Sequence, residues 1–180
     1  MRRVVAYILV SVDGVAEAPN QFLFHFDEVL EANLGKVIGT QDTVLLGRQM
    51  YDEWSLHWPK SDDKPFADFI NTVQKYVATS TPLDKEWTDA HAIEGPVDDF
   101  VRELKAGTGG DIGVHGSITL TQSLLAAGLV DELWLLVAPH VVGSGRRLFQ
   151  DDVTYSLKLV DSSASPAGSL LVHYEVERAA

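Results

Sequence analysis

Two segments, Val4 to Val12 and Leu133 to Val142, are apolar at nearly every position. A strand with one face in water alternates apolar and polar residues, so runs like these belong to strands buried on both faces. Such strands need helices above and below the sheet, and the rest of the chain supplies them. "DTVLLG" at 42–47 and "KYVATS" at 75–80 read as further strands, while 22–34 and 66–73 carry apolar residues at helical spacing. Val97, Phe100, Val101 and Leu104 fall at i, i+3, i+4 and i+7 behind Pro96, with Asp98 and Asp99 near the positive end of the helix dipole. "DIGVH" reads as a short strand, followed after Gly116 by a helix from Ile118 to Gly128. "YSLKLVD" and "LLVHYEV" alternate with period two across the polar loop "SSASPAGS", the pattern of an antiparallel hairpin. The expectation is one α/β domain spanning 1–180, with a mostly parallel central sheet in a three-layer α/β/α arrangement and a C-terminal antiparallel hairpin. The longest linker candidate, 82–96, has too few polar breakers to mark a boundary.

Composition removes several function classes. The formal charge of -12 argues against a nucleic-acid or anionic-membrane surface, because phosphate contacts need clustered Lys and Arg. There is no cysteine, hence no disulfide, thiolate nucleophile or cysteine metal site. The six histidines (25, 57, 91, 115, 140 and 173) show no metal-ligand spacing, although His25 and His57 are placed to line a pocket. The opening "MRRVVAYILVSVDGV" is too short, too β-branched and too early broken by Asp13-Gly14 to read as a signal peptide, and a cytoplasmic protein is expected. No run approaches the roughly 20 apolar residues of a membrane helix.

Two places repeat a strand-glycine-helix seam: "TVLLGRQMYDEW" around Gly47 and "GVHGSITL" around Gly116. In open α/β sheets ligands bind beyond the carboxyl ends of the strands, where helix N-termini present unpaired N–H groups. Gly47 lets the backbone approach an anion, and Arg48 offers a charge-assisted fork in an otherwise acidic chain. Gly116 and Ser117 offer N–H groups and a hydroxyl; the plainer explanation is that each glycine ends a strand. "GSGRRLF" at 143–149 is a third glycine-rich turn with Arg146 and Arg147, but neither a P-loop nor a GxGxxG fingerprint is present. Asp13 in "SVDG" is the candidate acid for chemistry, and an Asp-Gly turn explains it equally well. Asp27 and Glu28 are weaker carboxyl candidates. Tyr51, Trp54 and Trp58 cluster in "MYDEWSLHWP" and suit a flat heterocyclic substrate, with core packing or a dimer surface as the alternative.

The order and spacing of "SVDG", "LLGRQMY", "KYVATST", "VHGSITLTQSLLAAGLVDEL" and "PHVVGSGRRLF" resemble the dihydrofolate reductase-like superfamily. The nearest branch is the C-terminal reductase domain of the bifunctional riboflavin biosynthesis protein, with its stand-alone relatives. The resemblance implies an NADPH site across the strand ends and a homodimer. It places Gly47, Arg48 and Gln49 near the pyrophosphate and the adenosine phosphate, and Thr79, Ser80 and Thr81 at the adenosine ribose and its 2'-phosphate. Gly116, Ser117, Ile118, Thr119 and Leu120 then cover the pyrophosphate, with His115 in the same cofactor-binding set. Many relatives carry arginine where this chain has Ser80 and threonine where it has Met50, which keeps NADH open as a cofactor.

The resulting expectation is an NAD(P)H-dependent reductase acting on a small planar heterocycle such as a pterin or aminopyrimidine. The nearest named reaction is reduction of 5-amino-6-(5-phosphoribosylamino)uracil. Hydride transfer needs no protein nucleophile, because the nicotinamide carries the reactive hydrogen. Asp13, Tyr51, Trp54 and Trp58 are the expected substrate side, with Asp13 the proton donor. A non-catalytic nucleotide- or pterin-binding module, and a structural dimer, are the alternatives.

Overall fold

The computed structural model of the protein describes residues 1–177. In chain order the elements are β1 (Val4–Ser11), α1 (Glu28–Ile38), β2 (Gln41–Gly47), α2 (Arg48–His57), α3 (Phe66–Thr72), β3 (Gln74–Ala78), β4 (Ala90–Ala92), α4 (Val97–Ala106), β5 (Asp111–His115), α5 (Ile118–Ala126), β6 (Glu132–Ala138), β7 (Leu157–Ala164) and β8 (Leu170–Val176). Among the described residues eight strands form one sheet in the order β4-β3-β2-β5-β1-β6-β8-β7. Strands β1 to β6 are parallel, and β8 and β7 close the sheet antiparallel.

The apolar run of β1 lies in the middle of the sheet, and its alternate side chains feed two separate cores. Val5 and Tyr7 pack with Leu34 and Val37 of α1, Tyr51 of α2 and Ile70 of α3. Val4, Ala6 and Ile8 face the other way, onto Val101 of α4 and Leu120 and Leu124 of α5. These two apolar layers are the reason β1 tolerates almost no polar residue; each fully buried aliphatic side chain contributes about 1.5–3 kcal/mol. The two N-terminal arginines are structural: Arg2 pairs with Asp42, and Arg3 bridges Asp111 of β5 and Glu132 of β6. No helix among the described residues is long and apolar enough to cross a membrane.

Three expectations shift. The first helix starts at Glu28 rather than Phe22, because Asp27 caps it by accepting from the N–H groups of Val29 and Leu30, both at 3.1 Å. Phe22 instead plugs a small cluster with Val15 and Ala138. Strand β6 stops at Ala138, since Pro139 follows and cannot donate to a ladder, and Val141 is 72% exposed. Strand β4 rises from the 82–96 stretch, where Ala-His-Ala carries no β-branched residue to announce it.

Candidate functional site

Because β1 to β6 are parallel, their carboxyl ends share one edge of the sheet, and the segments that follow β1, β2, β5 and β6 border a cleft of about 1310 Å³. Gly47, Arg48, Gln49 and the whole run from His115 to Leu120 line it, as do Trp54 and Trp58. Thus both seams open into one cavity. The seams are also bonded to each other: the Gly47 N–H donates to Ser117 Oγ at 3.0 Å.

Helices α2 and α5 both begin without a side-chain cap, and their positive ends face the cleft. Ser117 stands at the N-cap position of α5, yet its hydroxyl is turned to Gly47. Gly116 has φ +70, and a Cβ there would lie 3.0 Å from Met50 Cε, so only glycine suits this turn. His115 is fully buried beneath it; its Nε2 meets Gln41 Oε1 at 2.7 Å, and burial pushes its pKa down to about 3. The ring is therefore neutral at pH 7 and supports the turn.

Arg48 is not free in this arrangement. Its Nε donates to Asp52 at 3.0 Å, one terminal nitrogen reaches Thr81 Oγ1 at 2.5 Å, Pro82 O at 3.1 Å and Thr79 Oγ1 at 3.3 Å, and the other meets Asp84 at 3.0 Å. Lys85 shares both carboxylates, at 2.9 Å to Asp52 and 3.1 Å to Asp84. Its ammonium is the leading cause that holds both carboxylates below their ordinary range. Thr79 and Thr81 join this network but, with Ser80, do not line the cleft.

Asp13 lies outside the cleft lining. Its carboxylate accepts from the Ser11 hydroxyl at 2.7 Å, the Val142 N–H at 3.0 Å and the Gly143 N–H at 2.8 Å. Those three donors, the Ser11 hydroxyl foremost, hold it well below the usual carboxylate range. An ionised acceptor is the opposite of the proton donor expected for it: Asp13 anchors the segment after β6. Tyr51 also leaves the expected substrate set. It is fully buried, donates to Lys85 O at 2.5 Å and accepts from Lys85 N at 2.9 Å.

What Asp13 anchors borders the cleft. Ser144, Gly145 and Arg146 enter the cleft, and the Arg146 guanidinium donates to Thr119 Oγ1 at 2.7 Å, over the start of α5. Gly145 (φ +114) approaches so close to Val15 that a Cβ would sit 2.8 Å from its Cγ1. Arg146 belongs to the candidate site, and its signal was the "GSGRRLF" turn. The other end of the cleft is aromatic: Trp54 and Trp58 meet edge to face at 5.7 Å, and Phe66 packs at 5.4 and 4.8 Å from them. Tyr7 lines this cavity too, the one aromatic residue of β1.

This architecture, a parallel sheet closed by an antiparallel pair and cleft at its carboxyl edge, is the dihydrofolate reductase-like fold. Residues 2–171 match the RibD C-terminal domain, and the chain belongs to that family. It is 28% identical over 180 residues to the uncharacterized protein YyaP of Bacillus subtilis, covering 96% of this chain and 94% of that one. A Shewanella sp. PV-4 structure assigned to riboflavin biosynthesis superposes with a TM-score of 0.76 at 16% identity, covering 98% and 99% of the two chains. Dihydrofolate reductase from Enterococcus faecalis, complexed with NADP(H), superposes with a TM-score of 0.58 at 14% identity over 98% and 97%. At such identities the structural likenesses establish the fold.

Proposed function

We propose that this protein is an NAD(P)H-dependent reductase that transfers hydride to a small planar heterocycle. One observation carries the reading: two uncapped helix N-termini and Arg146 converge in a cleft whose other end is walled by Trp54, Trp58 and Phe66. Membership of a reductase-domain family supports it, as does the shared fold of an enzyme solved with NADP(H).

The residues present fit a dinucleotide. The N–H groups at the start of α5, behind the turn that Gly116 makes possible, suit a pyrophosphate, and Arg146 adds a charged donor beside them. A bound nicotinamide supplies the hydride. The chain orients the acceptor between aromatic faces and excludes water from it. Reduction of a C=N or C=O bond takes up one hydride and one proton. With Asp13 held ionised as a loop anchor, that proton comes from water or from a hydroxyl of the cleft rather than from Asp13.

The position of Asp13 also gives some support to a second reading, a module that binds a nucleotide or pterin without turnover. Following NADPH and NADH oxidation at 340 nm across pterins, aminopyrimidines and simple carbonyl compounds separates the two. Oxidation that depends on one heterocycle supports the reductase; saturable cofactor binding with no turnover on any of them leaves the module.

A further inference from the structure

Tyr7 is only 3% exposed, and its hydroxyl has no hydrogen-bond partner, although the residue lines the cleft. Its neighbours explain the vacancy. Across the sheet it registers with His115 and Trp134, but the His115 Nε2 is held by Gln41 and the Trp134 indole N–H by Glu132. Buried hydroxyls are almost always satisfied, so an orphan on a rigid central strand at a cavity wall points to a ligand atom. Burial raises the phenol's pKa well above the ordinary tyrosine value, which keeps the hydroxyl protonated and able to donate.

A second buried donor, Trp58 Nε1, is equally without a partner and lines the same cavity. The ionic side chains that α1 and the segment before α3 bring to the cleft are Glu31, Asp63 and Lys64, and Lys64 is paired with Asp68 at 3.2 Å. A phosphate ester placed there meets more negative than positive charge.

We propose that Tyr7 and the Trp58 indole N–H recognise the substrate, an unphosphorylated flat heterocycle, neutral or cationic, with hydrogen-bond acceptors on its buried edge. This deepens the reductase reading by naming the substrate class of the same cleft, and rests on it for the word substrate. Recognition by these two groups is specific in the way a hydrophobic slot is not, since an analogue lacking the acceptor leaves them unpaired again.

The test titrates the full chain with pterin, with 5-amino-6-(ribosylamino)uracil and with its 5'-phosphate, following tryptophan fluorescence. It is repeated for Tyr7→Phe, which keeps the ring and removes only the hydroxyl, and for Trp58→Phe, which keeps an aromatic side chain and removes the indole N–H. The expected result is that at least one unphosphorylated probe binds at least tenfold tighter than the phosphate, and that each variant weakens it about tenfold. NADPH affinity should hold in both, and the melting temperature in Tyr7→Phe, because that substitution removes only an unsatisfied buried hydroxyl. Equal binding by wild type and Tyr7→Phe, preference for the phosphate, or no binding of any probe overturns the inference. Probe binding that depends on Tyr7 without saturable NADPH or NADH binding removes the reductase reading and leaves this one standing.

Discussion

The turn at Gly116 runs through φ +70 against Met50, after a buried neutral histidine, whereas the turn at Gly47 has an ordinary φ of -76 and follows the buried Leu46. A Cβ on Gly47 would meet only the Ser117 side chain, Oγ at 3.6 Å and Cβ at 3.8 Å, normal contacts. Arg48 after Gly47 is tied to its own carboxylates, while the start of α5 after Gly116 is bare except for the Arg146 guanidinium. The pair teaches that a glycine at a strand end is diagnostic only when its dihedral requires it. In this cleft that requirement is met at the second seam.

The comparison breaks most readily at the glycines. Gly116→Ala should destabilise the fold by about 2 kcal/mol or more in urea unfolding, about 1–2 from the left-handed turn with the Met50 contact added. Gly47→Ala should stay within about 0.5 kcal/mol. Equal costs would erase the distinction.

The second contrast is with pH. His115 titrates near 6.5 when unfolded but about 3 when folded, so below pH 6.5 the unfolded chain binds a proton that the native one refuses. Its stabilising contribution is complete above pH 6.5 and falls as pH drops toward 3, by up to about 1.4 kcal/mol per unit. Urea midpoints of His115→Gln should lose that part of the slope between pH 6.5 and 5; an unchanged slope would assign the acid sensitivity elsewhere.

Within the first seam, Tyr51→Phe leaves the Lys85 backbone N–H and carbonyl without partners. It should cost about 1–2 kcal/mol of stability with cofactor affinity unchanged. A change in cofactor affinity would return Tyr51 to the ligand site. The smallest effect concerns cofactor choice: Asp84→Asn removes the negative charge opposite one terminal nitrogen of Arg48 and should favour NADPH over NADH by a few-fold in fluorescence titration. No change in the ratio would mean that a 2'-phosphate does not reach Arg48.

Much of this was legible in the chain. Unbroken apolar runs such as Val4 to Val10 announce burial on both faces, and period-two alternation announced the β7 and β8 pair. The seams were legible as places but not as roles. Whether Arg48 is free depends on Asp84, 36 residues away, and whether Asp13 is an acid depends on N–H groups of Val142 and Gly143. Such partners are set by loop geometry that no local pattern encodes. Arg146 was visible within a glycine-rich turn, yet its reach to Thr119 needs the carboxyl edge assembled. Tyr7 carried a weak signal, one phenol among aliphatics in β1, which gains meaning only once its missing partner is seen.

The central claim, that the second seam holds the dinucleotide, is tested most directly by nicotinamide fluorescence titration of the wild type and Arg146→Ala with NADPH and NADH. Saturable binding of at least one cofactor, weakened about tenfold by loss of the charged donor, is the predicted result. Absence of saturable binding by either, or binding indifferent to Arg146, would contradict it.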